Sequence, residues 1–163
     1  TDAVISVAAG NGGAACTHQN LNGCNALSIA LAVDPNTNKN TILVGATTGY
    51  GVNEEIATYS SRGGMFAERF LLASGTTGYK KWDGGFVEGT SFAAPRVAGA
   101  AAILRHKFPN LSGSDASSIL LLTASKDINN DGIDDFTGIS QTFGHGKLDL
   151  TSALQPIGSL TLK

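Results

Sequence analysis

The chain has 163 residues, enough for one domain or most of one. Charged residues are only 15%, apolar ones 42% and glycines 21, so a sizeable core can be buried and low-complexity disorder is excluded. The formal charge of -2 leaves no electrostatic footprint for nucleic acid, and no apolar run reaches the roughly 20 residues of a membrane-spanning helix.

In chain order, residues 4–9 (VISVAA) form an apolar run closed by Gly10-Asn11-Gly12-Gly13, a buried strand running into a tight loop. The chain starts at Thr1, with no basic and apolar leader ahead of that strand, which points to a processed or trimmed chain. Cys16 and Cys24 stand eight residues apart in a polar segment. A local disulfide fits an oxidising compartment, and two reduced surface thiols are the alternative. Residues 27–33 (LSIALAV) read as a strand or a short apolar segment, and 41–47 (TILVGAT) as a second buried strand. Residues 69–74 (RFLLAS) read as a third, and 75–86 as a hairpin or loop. From Ser91 to Lys107 nearly every residue is small or apolar, with Pro95 early and Arg105, His106 and Lys107 late. That is a buried helix with Pro in its first turn and cations at its C-terminus. Residues 112–125 read as another helix, capped by Ser112 or Ser114. Strands alternating with helices indicate an α/β fold with a mainly parallel sheet.

A serine at a helix start is most often a cap. Ser91 has other features. Gly89 permits close approach of the backbone to another group. The small residues Ala93, Ala94, Ala98, Gly99 and Ala100 let the helix sit close to a sheet. The positive end of the helix dipole would stabilise an oxyanion forming beside Ser91.

Residues 89–99, GTSFAAPRVAG, resemble the segment around the nucleophilic serine of the subtilisin-like serine proteases, the subtilases. The family pattern is G-T-S-x-A-[AST]-P-x-[VA]-[AST]-G, and every fixed position is met; Arg96 stands where the family often has His. Residues 8–13, AAGNGG, resemble the family's strand end A-A-G-N-x-G, whose Asn donates a side-chain N–H to the oxyanion. Taken alone, Gly-Asn-Gly is an ordinary turn. TILVGAT, TYSSRG (58–63), LLASG (71–75) and FGHGKLDLTSAL (143–154) are similar to further family segments, with Ser74 where a Pro is usual. The resemblance spans nearly the whole chain but only the C-terminal half of a subtilase domain. It implies an α/β, subtilisin-like three-layer fold, with residues 1–163 as the C-terminal part of the peptidase domain. It also implies protein or peptide hydrolysis through an acyl-enzyme on Ser91, with Asn11 and the Ser91 N–H as oxyanion donors. Ala8, Ala9 and Gly10 resemble the small-residue wall of a substrate pocket, and Gly89 and Thr90 are expected to bind substrate beside the nucleophile. No cofactor for catalysis is implied.

A serine needs a base and an orienting acid, which in subtilases precede it in the order Asp…His…Ser. Neither of those segments is in this chain. His106 would lie on the same helix as Ser91, about 22 Å away at 1.5 Å per residue. His145 sits in a glycine turn, His18 belongs to the cysteine loop, and Asp83 follows no buried strand. The expectation is therefore a partner: the N-terminal half of the same domain, bringing Asp and His and pairing with the sheet edge beside residues 4–9. The alternative is a non-catalytic binding or structural domain. Family habit and the cysteine pair imply a secreted, cell-surface or periplasmic protein exported by a bacterium.

Asp127, Asn129, Asp131 and Gly132 match positions 1, 3, 5 and 6 of a calcium loop, and Asp135 falls at position 9. Position 12 is Gly138 rather than a bidentate Glu. A structural Ca2+ and an acidic surface turn are both compatible with this pattern.

Overall fold

The computed structural model describes residues 2–18 and 23–155. Residues 41–47 are buried at every position. A strand enclosed in that way must have both edges paired and both faces covered. This strand, β2 (Thr41–Thr48), has β1 (Ile5–Ala8) parallel on one edge, from Ile5↔Thr41 to Ala8↔Val44. On the other edge is β4 (Phe70–Ser74), also parallel, from Leu43↔Phe70 to Thr47↔Ser74. The two-residue β3 (Glu55–Ile56) joins the end of β2 in the antiparallel sense. Residues 145–148 run along the outer edge of β4, where Leu72 donates to the Gly146 carbonyl and Leu148 to the Leu72 carbonyl, both at 2.7 Å. Among the described residues no strand covers the outer edge of β1. Its Ala8 carbonyl instead accepts from Asn25 Nδ2 (2.8 Å) and Ser28 Oγ (2.7 Å).

Alternation along β2 divides the core in two. Ile42, Val44 and Ala46 face α2 (Thr90–Lys107), α3 (Gly113–Leu122) and α4 (Leu150–Ala153), which supply Ala93, Val97, Ala100, Leu104, Leu120 and Ala153. Leu43, with Phe70 and Leu72 of β4, faces α1 (Ala26–Val33), Ile128 and the two cysteines. The result is the expected three-layer α/β arrangement. Complete burial of a Leu104-sized side chain contributes about 1.5–3 kcal/mol. The small residues of α2 bring its axis close to the sheet, and Ser6 Oγ donates to the Ala94 carbonyl at 2.7 Å, tying β1 to this helix.

Two local expectations are corrected. Residues 27–33 are helical, because Asn25 caps them, its Oδ1 accepting from Ser28 N at 2.9 Å. The buried positions Ser28 and Ala32 are four apart, the helical period. Pro95 lies in the second turn of α2, since the helix begins at Thr90. Its missing N–H leaves the Ser91 carbonyl without the usual i+4 donor. Residues 75–86 resolve as the hairpin, β5 (Thr76–Lys80) and β6 (Phe86–Glu88). Ser112 is the cap of α3, its Oγ accepting from Asp115 N at 3.1 Å.

Cys16 and Cys24 form a disulfide with Cα atoms 4.8 Å apart, and both are fully buried. Closing so short a loop restricts the unfolded chain by about 2–3 kcal/mol. Replacing both cysteines by Ser is expected to lower stability by that amount in a denaturant titration. An unchanged midpoint would leave the bridge without a stabilising role.

Candidate active site

The parallel strands β1, β2 and β4 end on the same side of the sheet, and the loops leaving them meet there. The chain leaving β1 turns at Gly10, whose φ of +133° favours glycine. A Cβ at Gly10 would lie 2.9 Å from the Gly23 carbonyl and 3.0 Å from Ser61 Oγ, so no side chain fits. Residues 10–14 are laced to residues 59–62: Ser61 N donates to Gly10 O (2.9 Å), Gly13 N to Tyr59 O (2.8 Å) and Arg62 N to Ala14 O (3.0 Å). The Arg62 guanidinium donates to the carbonyls of Gly13, Thr58 and Ser60. Ser60 Oγ accepts from Ala46 N at 2.8 Å and fixes the whole turn to β2.

This lacing presents Asn11 to the start of α2. Asn11 Oδ1 accepts from Thr90 N at 3.0 Å and from Thr90 Oγ1 at 2.9 Å. Its carbonyl oxygen is therefore occupied, and Nδ2 has no acceptor among the described residues. Ser91 follows in the first turn of the 18-residue α2 and is exposed. A Cβ on Gly89 would stand 3.5 Å from Asn11 Nδ2, so the glycine keeps that side of the donor open. Among the described residues neither the Asn11 amide nor the Ser91 hydroxyl has a partner, and both are exposed at the positive end of a long helix, an arrangement suited to stabilising a developing oxyanion.

The sequence profile of the Subtilase family matches residues 1–146. The chain belongs to this family. Subtilisin DY of Bacillus licheniformis is 33% identical over 117 residues, which is 70% of this chain and 37% of that protein. The extracellular serine protease of Serratia marcescens is 39% identical over 66 residues, 40% of this chain and 6% of that protein. The structure of the patellamide maturation protease PatA superposes with a TM-score of 0.60 at 25% identity, over 90% of this chain and 48% of that one. The chain thus spans about a third of subtilisin DY and about half of the PatA protease domain.

Thr90 is 1% exposed and faces inward onto Asn11. Ala9 is fully buried in the core beneath α1, while Ala8 and Gly10 are half-buried, so at Ala9 only backbone can line a pocket. None of the three histidines reaches Ser91. His106 is in the last turn of α2. His145 Nε2 lies 3.3 Å from the Glu68 carbonyl in the turn before β4, and burial holds the ring below its ordinary pKa. His18 packs edge-on against Phe66, with ring centroids 5.1 Å apart.

A second cluster under Gly89 has no motif to announce it. Glu88 Oε1 accepts from Thr48 Oγ1 (2.7 Å) and Thr76 Oγ1 (2.8 Å), fastening the hairpin base to β2. Burial, with the Glu88 carboxylate nearby, pushes the Tyr59 phenol up to about 12. Its members, Thr48, Thr76 and Glu88, lie up to 40 positions apart and share no spacing that would announce them.

The acidic segment 127–135 is closed by its own side chains. Asp127 accepts from Asp131 N (3.1 Å) and Gly132 N (2.9 Å), Asn129 and Asp131 bond one another, and Asp135 accepts from Ile128 N at 2.7 Å. Lys147 Nζ anchors its base, donating to Glu54 Oε2, Ile128 O and Asn130 Oδ1. Among the described residues no three His, Cys, Asp or Glu side chains gather as metal ligands. Asp127→Ala is expected to lower stability by about 1–2 kcal/mol, the cost of two freed amides. Thermal unfolding with and without a chelator checks this: a loss seen only with calcium present would make Asp127 an ion ligand instead.

Proposed function

We propose that this chain carries the nucleophile and oxyanion site of a serine endopeptidase acting on protein or peptide substrates. The observation that supports it most is the clasp of Asn11 by Thr90, which sets a free amide donor beside Ser91 across 79 positions of sequence. On this reading Ser91 Oγ attacks the scissile carbonyl carbon, its proton passes to an imidazole base, and an acyl-enzyme forms as the amine leaves. Asn11 Nδ2 and the Ser91 N–H donate to the oxygen as it becomes negative, and α2 adds its dipole. The backbone at Ala8, Ala9 and Gly10 flanks the substrate. The base and its orienting acid come from the N-terminal half of the domain, packed along the open edge of β1. Export by a bacterium accords with the disulfide and with an extracellular relative. A non-catalytic binding domain is the second reading; intact donor geometry with no acylation would favour it.

With the N-terminal half present, Ser91 is expected to react with a fluorophosphonate and Ser91→Ala to abolish both labelling and peptide hydrolysis. Labelling that survives the substitution, or no labelling of the wild type, overturns the assignment.

Asn11→Ala should lower turnover by about 10²–10³ with little change in KM, the range that loss of this donor costs in subtilisin itself. Thr90→Val, which removes the hydroxyl bond to the carboxamide and leaves only the backbone one, should lower turnover in the same direction by a smaller factor. A rise in KM at constant turnover would make Asn11 a substrate-binding residue.

A further inference from the structure

The hairpin β5–β6 feeds the nucleophile directly. Only Gly89 and Thr90 separate the end of β6 from Ser91. Its base is locked to the body by Glu88, Thr48 and Thr76, and by Arg96 Nη2 donating to the Thr76 carbonyl at 3.0 Å. Its tip is closed by its own bonds: Lys81 N to Gly85 O (2.6 Å), Gly84 N to Lys81 O (3.1 Å) and Gly85 N to Asp83 Oδ1 (3.0 Å). The tip is therefore preformed and needs no partner to hold its shape.

Beyond that base, the outer part of the hairpin carries large exposed rings. Trp82, the one tryptophan of the chain, is fully exposed, Tyr79 is 79% exposed, and Phe86 is also exposed. Lys80 and Lys81 flank them, with Lys80 Nζ 5.9 Å from the Phe86 ring centre. Asp83, the single acidic residue there, has a carboxylate oxygen engaged by Gly85 N. Aromatic faces beside two cations fit an acidic polypeptide with apolar side chains. At about 3.3 Å per residue the five steps from Phe86 to Ser91 keep the two within about 17 Å, the span of at most five extended substrate residues.

We propose that the hairpin tip is an exosite that captures an acidic stretch of the polypeptide substrate a few residues from the bond to be cut. This rests on the endopeptidase reading above, and it adds a substrate preference to it. The lysines draw in and hold the acidic residues, the aromatic rings cover the neighbouring side chains, and the rigid base keeps the captured chain in line with Ser91.

Trp82 is its own reporter. The chain with Ser91→Ala is titrated with a synthetic acidic peptide, and tryptophan emission is followed. A saturable blue shift is expected with the acidic peptide and not with the same peptide carrying Asn and Gln in place of Asp and Glu. The apparent Kd should weaken roughly three- to tenfold when salt rises from ~0.05 to ~0.5 M, and by a similar factor with Lys80→Ser and Lys81→Ser together. Equal response to acidic and neutral peptides overturns the proposal. So does a response confined to phosphatidylglycerol vesicles, which would make the tip a membrane contact. Catalysis does not enter this titration, so a failed fluorophosphonate reaction removes the endopeptidase reading, while loss of acid preference removes the exosite alone.

Discussion

One enclosed strand, β2, sets the position of everything else. Its backbone groups are out of reach of water, so each must find a partner on a neighbouring strand. The parallel pairings to β1 and β4 satisfy that requirement and also fix where those strands end. The loop after β1 and the hairpin after β4 are thereby delivered to the same side of the sheet. The site is a consequence of register: a shift by one residue would turn Leu43 and Val44 to the wrong layers and separate Asn11 from the start of α2.

Within that frame, the carboxamide of Asn11 is oriented by what its oxygen does. Both donors of Thr90, N–H and hydroxyl, point to Oδ1, and Thr90 is buried where water cannot compete. An exposed side chain of this kind would rotate freely in solution. Here rotation would break two hydrogen bonds, each worth about 1 kcal/mol. The turn 58–62 completes the restraint from beneath: Ser60 ties it to β2, and Arg62 holds three carbonyls at once. Preorganisation of this kind matters for an oxyanion donor, whose value lies in being aligned before charge develops.

The surface carries a matching feature. Ala98, Gly99, Ala102 and Ile103 of α2 are exposed, and the outer edge of β1 has no strand beside it among the described residues. Apolar helix surface and an unpaired strand edge on one side of a sheet are what a cut through a larger α/β layer would expose. They agree with the proposal that the remainder of the domain packs there and brings the base toward Ser91.

The sequence by itself determined the strands at 41–47 and 69–74, the long helix that opens at Gly89-Thr90-Ser91, and the family. Each of these is a local signal, a run of apolar residues or a fixed spacing within about a dozen positions. The same sequence left the two cysteines open between a disulfide and free thiols, and the structure decided for the disulfide. The helix at 26–33 escaped it because its apolar residues crowd together, and only the Asn25 cap with burial at Ser28 and Ala32 decided between helix and strand. The role of Thr90 and the Glu88 cluster could not be read at all. Thr90 carries one pattern position whether it faces substrate or protein, and Glu88 gains meaning only from Thr48, which lies 40 residues away. The tertiary structure decided these because hydrogen-bond partners distant in sequence leave no periodicity behind, and only the register of the sheet brings them together.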